Sequence, residues 1–196
     1  MGPFSEALAL IVRTLFGLAA GIFLIRLLMQ GFRMDFRNPI CQATYRFTNP
    51  VLQPLRIVLP TLRSWNTAAL VVTFIILLTG EWLAWLILGL WFGSLSIVLW
   101  TTGHFIEVLC WSFGGMILVR VIASYLSADP SNPVMGLLKA LTQPLLRPFQ
   151  RLIPPIAGFD LSPAFAGLAL QVIWVLTAKP LMGYALALYS SQAVSG

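Results

Sequence analysis

Residues 142–163 read TQPLLRPFQRLIPPIAGFDLSP, a segment with five prolines set between two long apolar stretches that carry almost no charge. Its meaning emerges when the chain is shifted by 94 positions onto itself. Arg26 then falls on Arg120, Asp35 on Asp129, Asn38-Pro39 on Asn132-Pro133, Thr48 on Thr142, Pro50 on Pro144, Leu52 on Leu146, Pro54 on Pro148 and Pro60 on Pro154. Such ungapped self-similarity marks an internal duplication. The match fades after Pro60, where RSWNTAA faces AGFDLSP, although Trp65 still meets Phe159 and Asn66 meets Asp160.

What surrounds the duplicated segment sets the solvent. The 196 residues are 59% hydrophobic and 9% charged, with a mean hydropathy of +0.89, whereas soluble domains carry about a quarter charged residues. A bilayer core about 30 Å thick needs roughly 20 apolar residues per helix, so the length admits four or five spans and little else. Strands of a membrane barrel would alternate apolar and polar residues, a pattern the chain lacks. The start, MGPFSEALAL, has an acid where a cleavable leader carries basic residues, which favours a retained first span.

The expected fold is therefore all-α and membrane-integral: two parallel units, each a span, a proline-rich amphipathic loop and a second span. The first unit covers residues 1–96, with spans near 6–29 and 67–92 around loop 30–66. The second covers 97–196, with spans near 100–124 and 162–186 around loop 125–161. The apolar stretch 68–103 is long enough for an extra hairpin, but charge argues against it. Arg33, Arg37, Arg46, Arg56 and Arg63 lie in the first loop, and Lys139, Arg147 and Arg151 in the second. An even number of crossings between them places both basic loops in the cytoplasm.

In each loop an Asn-Pro pair, suited to N-cap and first helical turn, precedes apolar residues at helical spacing. They are Ile40, Thr44, Phe47 and Val51 in one copy and Val134, Leu138, Leu141 and Leu145 in the other. These predict short surface helices that Pro50 and Pro54, or Pro144 and Pro148, then break. The stripes either enter the lipid interface while the arginines hold phosphates, or cover the cytoplasmic ends of the spans.

The segments RLLMQGFRMDFRNPICQATYRFTNPVLQPLRIVLP and RVIASYLSADPSNPVMGLLKALTQPLLRPFQRLIPPIAGFDLSP resemble the tandem repeats of the YggT (YlmG-like) membrane proteins of bacteria and plastids, most specifically in TQPLLRPFQRLIPP followed by GFDLSP. The two-repeat length resembles the proteobacterial form. The resemblance covers nearly the whole chain and implies a small inner-membrane protein without established chemistry. It also implies links to osmotic and ionic stress and to cell-division gene neighbourhoods, and in plastid relatives to nucleoid distribution and haem attachment.

Charges inside lipid cost roughly 2.5–3.5 kcal/mol on insertion scales and so ask for a role. Arg13 and Glu107 are related by the 94-residue shift and should share a depth near the outer side. They either pair across the pseudo-two-fold or snorkel separately. Glu81 lies roughly 22 Å along its helix from the loop, and a contact with Lys179, or a proton or cation path through Glu81, is conceivable. The single histidine, His104, lacks the partner ligands or the CxxCH motif of a haem site, so no cofactor is expected.

No nucleophile with a base, paired carboxylates or metal-spaced Cys/His cluster is present, so no enzyme chemistry and no metal are expected. In the corner, Gly158 permits a turn, Asp160 or Ser162 can cap the last span and Pro163 suits its first turn; an anion or partner could use the same end. Gly17-xxx-Gly21 and Gly89-xxx-Gly93 have the spacing of close helix approaches, within the monomer or in a homo-oligomer. Trp82, Trp85, Trp91 and Trp100 read as an outer aromatic belt. Cys41 and Cys110 read as small buried apolar residues.

The expectation is a non-enzymatic inner-membrane scaffold or assembly factor whose basic loops meet lipid or a membrane-protein partner. The alternative is an ion or osmolyte pathway, and direct nucleic-acid binding is not expected.

Overall fold

The computed structural model describes residues 2–34, 37–59, 61, 64–126, 132–153 and 160–195, and every regular element among them is helical. The helices are α1 (Pro3–Gly31), α2 (Pro39–Val58), α3 (Thr67–Ile87), α4 (Ser94–Tyr125), α5 (Pro133–Leu152), α6 (Ser162–Ile173) and α7 (Lys179–Ser195), with one π-helical turn, Trp174–Ala178, joining the last two. Four stretches are long and apolar enough to cross a membrane: Pro3–Gly31, Thr67–Ile87, Ser94–Ser124 and Ser162–Gln192. The expected spans are therefore present, with the third starting six residues earlier than the apolar pattern suggested. Expected residues Asp35, Arg63, Asp129, Pro154 and Gly158 lie outside the described residues.

Within each unit the two spans pack on each other, α1 on α3 and α4 on the α6–α7 helix, and the units meet along α3 and α4. The core runs through Leu24, Leu28, Leu52, Ala69, Phe113 and Leu141, so residues of the spans and of the surface helices share one apolar cluster. In lipid, where a purely hydrophobic drive between spans is weak, close packing has to carry much of the association. Two glycines outside the expected pairs serve it. A Cβ on Gly80 would fall 2.5 Å from Cβ of Phe16, and one on Gly103 would fall 2.9 Å from the Ala178 carbonyl. By contrast, nothing approaches Gly17, Gly21 or Gly115 within 4 Å. Gly89 (φ +67°) ends α3 and Gly93 precedes α4, so this pair belongs to the turn between spans, and of the two only Gly93 meets another helix, a Cβ there falling 2.7 Å from Gln192 Oε1 of α7.

The surface helices differ from expectation in two ways. First, α2 continues through Pro50 and Pro54, and α5 through Pro144 and Pro148. All four prolines lie on the exposed side, where the carbonyls that lose their N–H partners can be met by water or headgroups. Second, the face of α2 that packs on the spans is Cys41, Thr48 and Leu52, whereas Phe47 is 79% exposed and Val51 also points away. In α5 the packed face includes Leu138 and Leu141, as the stripe predicted.

The tryptophans also divide. Trp82 and Trp91 are exposed, but Trp85 is buried and packs edge-on to Trp100 with ring centroids 5.2 Å apart. Only the outer pair fits a belt. Neither Cys41 nor Cys110 forms a disulfide, and both are buried.

Candidate functional site

Both surface helices lie at the same end of the molecule and touch, Asn38 donating from Nδ2 to the Pro133 carbonyl at 2.7 Å. Each begins with the same cap: Asn38 accepts from the Ile40 N–H and Asn132 from the Val134 N–H, both at 2.9 Å. That satisfies an otherwise orphaned donor and fixes where the helix leaves the loop.

The matched arginines pin them to the spans. In the second unit Arg120 donates from Nη1 to Thr142 Oγ1 at 2.9 Å and from Nη2 to Gln143 Oε1 at 3.0 Å. The Gln143 amide donates to Gln150, and the Gln150 amide donates to Asp160 Oδ2, each at 3.0 Å. Asp160 accepts the Ser162 N–H at 2.9 Å through its other oxygen, which starts α6. A cation on α4 is thus tied to a carboxylate at the next span through two amides. Ser162, with the Gln150 amide and the Arg120 charge, holds the Asp160 carboxyl below the usual carboxylate range, against the opposing effect of partial burial.

The first unit repeats the frame with other chemistry. Arg26 is fully buried, its Cζ 3.2 Å from the centre of the Tyr45 ring on α2. Asn66, also fully buried, accepts the Ala69 N–H at 3.2 Å and donates to Gln30 Oε1 at 3.1 Å. The SWNTAA corner therefore retains a cap at the position matching Asp160 but not its charge.

At the far end of the spans a second polar cluster forms. Glu81, 3% exposed, has Arg13 Nε 3.2 Å from Oε2 and His104 Nδ1 2.7 Å from Oε1. The Arg13 guanidinium also lies 4.9 Å from the Trp85 ring centre. Arg13, Glu81, His104 and Glu107, with Thr14, Trp100 and Met182, line an open cavity of about 360 Å³.

The partner of Arg13 is thus Glu81 rather than Glu107, which shares the cavity but makes no ion pair with it. Lys179 is exposed, and the ion-pair contacts of Glu81 among the described residues are with Arg13 and His104. Sequence depth placed Arg13 and Glu107 at one level and set Glu81 apart as a possible contact of Lys179. What it missed was helix rotation, which turns Glu81 inward and brings His104 to it.

The other expected contacts are dispersed over the surface end. Arg33, Arg37, Arg46, Arg147 and Arg151 are exposed, and Arg56 is half-buried. Ser162 is buried at the start of α6 with Pro163 beside it in the first turn, and Asp160 supplies the bond that fixes that start. Among the described residues no group of His, Cys, Asp and Glu is arranged to hold a metal.

These features define a multi-pass membrane protein made of two copies of a span, surface-helix, span unit. The chain belongs to the CCB3/YggT family, whose pattern matches residues 5–87 and again 99–181, two segments separated by the 94-residue offset of the internal repeat. An uncharacterized protein of Pseudomonas aeruginosa is 34% identical over 172 residues, covering 85% of each chain. The uncharacterized protein YggT of Escherichia coli is 33% identical over 172 residues, covering 86% of this chain and 87% of its own. Neither relative carries an enzymatic name. No solved structure matches the chain.

Proposed function

We propose that the protein is a non-enzymatic scaffold of the bacterial inner membrane. In this reading α2 and α5 form a cytoplasmic platform that rests among anionic headgroups and receives a membrane-protein partner. One observation carries it: the paired helices expose Phe47, Val51, Ile57, Val58 and Leu152 beside the exposed Arg46, Arg147 and Arg151. Apolar side chains of this size, interleaved with guanidinium groups, suit an interface that is half lipid and half phosphate. The pinning of both helices through Arg26 and Arg120 keeps the platform rigid, which suits a docking surface better than a gate.

Photocrosslinking from Arg46 and Arg147 positions in native membranes tests this reading. Recovery of a recurrent membrane-protein adduct is expected; lipid adducts alone overturn the scaffold.

A second reading, an ion pathway, is favoured by the Arg13–Glu81–His104 cluster, since buried ionisable groups at membrane depth commonly bind protons or cations. It accounts for less of the molecule, because the cluster is separated from the platform by the apolar core around Leu24, Phe113 and Ile117. Proton-linked flux in reconstituted vesicles that is unchanged by Glu81→Gln would remove it.

A further inference from the structure

The two arginine corners share a backbone frame but differ in charge. In the second, Arg120 faces Asp160 through Gln143 and Gln150, so cation and anion balance. The residues at the matching positions of the first are Asn49, Arg56 and Asn66. The carboxylate has become an amide and one glutamine has become a second arginine, which takes the corner from neutral to doubly positive.

The guanidinium groups show the result. Arg26 is completely buried, and none of its three nitrogens has a hydrogen-bond partner. Tyr45 covers it face-on, which supplies cation–π attraction and a favourable contact with the phenol, while no Arg26 nitrogen makes a hydrogen bond of full geometry. Two nitrogens of Arg56, Nε and Nη2, are likewise buried without partners, and Arg56 acts on Arg26 as a like charge. Burying one unpaired charge is costly, and burying two that repel is costlier still. Tyr45 also lines an open cavity of about 420 Å³ with Arg46, Asn49, Pro50 and Gln53, so the ring that stacks on Arg26 borders open space at the surface helix.

We infer that the first corner, Arg26 and Arg56 beneath Tyr45, is a binding site for a phosphate group, supplied by a lipid headgroup or by a free phosphate anion. Planar guanidiniums match phosphate oxygens with paired N–H donors, and two of them balance the charge of a phosphate as Asp160 balances Arg120. The second corner carries its counter-charge in the chain; the first takes it from outside. The inference rests on the reading that α2 lies at headgroup level, and it assigns a specific subsite there.

Thermal unfolding of the full chain in neutral detergent, followed by tryptophan fluorescence, tests the site. One arm adds inorganic phosphate against sodium chloride of equal ionic strength. The other adds phosphatidylglycerol against diacylglycerol, which lacks the phosphate. The wild type should gain thermal stability in at least one arm, and the arm that responds identifies the source.

Asn66→Asp supplies the missing carboxylate and can still cap α3, while Gln30 can turn its amide to donate. This variant and Arg56→Gln, which copies the second corner, should lose the gain, whereas Lys179→Gln, at an exposed cation outside the platform, should keep it. A wild type that gains nothing in either arm overturns the site, as does a gain that survives unchanged in both Asn66→Asp and Arg56→Gln. Failure here leaves crosslinking from Arg147 unaffected. Loss of a protein adduct there, with the phosphate response intact, would count against the scaffold alone.

Discussion

Arg33 occupies a conformation that side chains other than glycine seldom take, with φ at 52°. It follows the last turn of α1, where its N–H reaches the Gln30 carbonyl at 3.1 Å and the Met34 N–H reaches the Met29 carbonyl at 2.9 Å. Gly89 does the same at the end of α3, the Leu90 N–H reaching the Trp85 carbonyl at 2.9 Å. This paired closure satisfies helix-end carbonyls and favours glycine at the left-handed position. Arg33→Gly is therefore expected to raise stability by about 1 kcal/mol, read as an upward shift in unfolding temperature. The same change removes an exposed cation, so Arg33→Gln, which removes the charge and keeps a side chain, is the comparison that separates the two roles.

Asp160 gives a second expectation at this scale. Its carboxyl is held below the usual range by Ser162, then by the Gln150 amide and the Arg120 charge. A group with a depressed folded pKa stabilises fully above its unfolded value, about 3.9, and that contribution fades as pH falls through the folded value. Unfolding temperature should thus decline on acidification below about pH 4, and Asp160→Asn should remove that part of the decline. Asn66 cannot titrate, so hydrogen exchange should show the α5–α6 junction loosening in acid before the α2–α3 junction. The matched arginines were visible in the repeat, yet only packing reveals why they recur. Each sits one helix away from the surface element it holds, a distance that sequence spacing does not encode.

At the level of elements, the four spans were legible because each is a long apolar run, and in a bilayer such a run has few alternatives to helix. The surface helices were legible at their starts, from Asn38-Pro39 and Asn132-Pro133, but not at their ends. Local rules stop a helix at Pro50, while buried contacts of Leu52 beyond it and Thr48 before it hold both sides in one rod. Pro50→Ala and Pro144→Ala, at exposed positions inside continuous helices, should each stabilise the fold by about 1–3 kcal/mol, seen as slower hydrogen exchange in α2 or α5. If either change destabilises, the proline supplies something other than a tolerated gap. Gly103→Ala should act oppositely: its Cβ meets the backbone carbonyl of Ala178, which cannot move aside as a side-chain end can. A loss of about 1–3 kcal/mol is expected from overpacking, measured by thermal unfolding in detergent.

The whole molecule is polarised along the membrane normal. One end holds α2 and α5 with their arginines; the other holds the short turn around Trp91 and the cavity lined by Arg13 and Glu81. The net charge of +6 is concentrated at the first end, the distribution that orients membrane proteins with basic segments inside. Single cysteines replacing Arg46, Arg147 and Trp91 test the orientation, because Cys41 and Cys110 are buried. An impermeant maleimide should label the first two only in inverted vesicles and the third only in intact spheroplasts. Labelling of Arg46 and Arg147 positions from opposite faces would contradict the parallel arrangement itself. Overall polarity was readable from composition, since charges cluster in two loops. The contact between those loops was not, because it depends on a bond from Asn38 to the backbone of Pro133 that no residue type announces.

The π-helical turn Trp174–Ala178 lies opposite residues 80–84 of α3 in the 94-residue offset, and there the earlier helix is regular. Such a turn holds one residue more than its α-helical counterpart, which rotates everything after it by about 100°. Trp85 and Lys179 are offset partners beyond this point, and one is buried while the other is exposed. The two halves thus fall out of phase in space while their numbering stays in step. Comparisons that equate residues between the halves without a gap hold up to the turn, and beyond it they assign side chains to the wrong side of the helix.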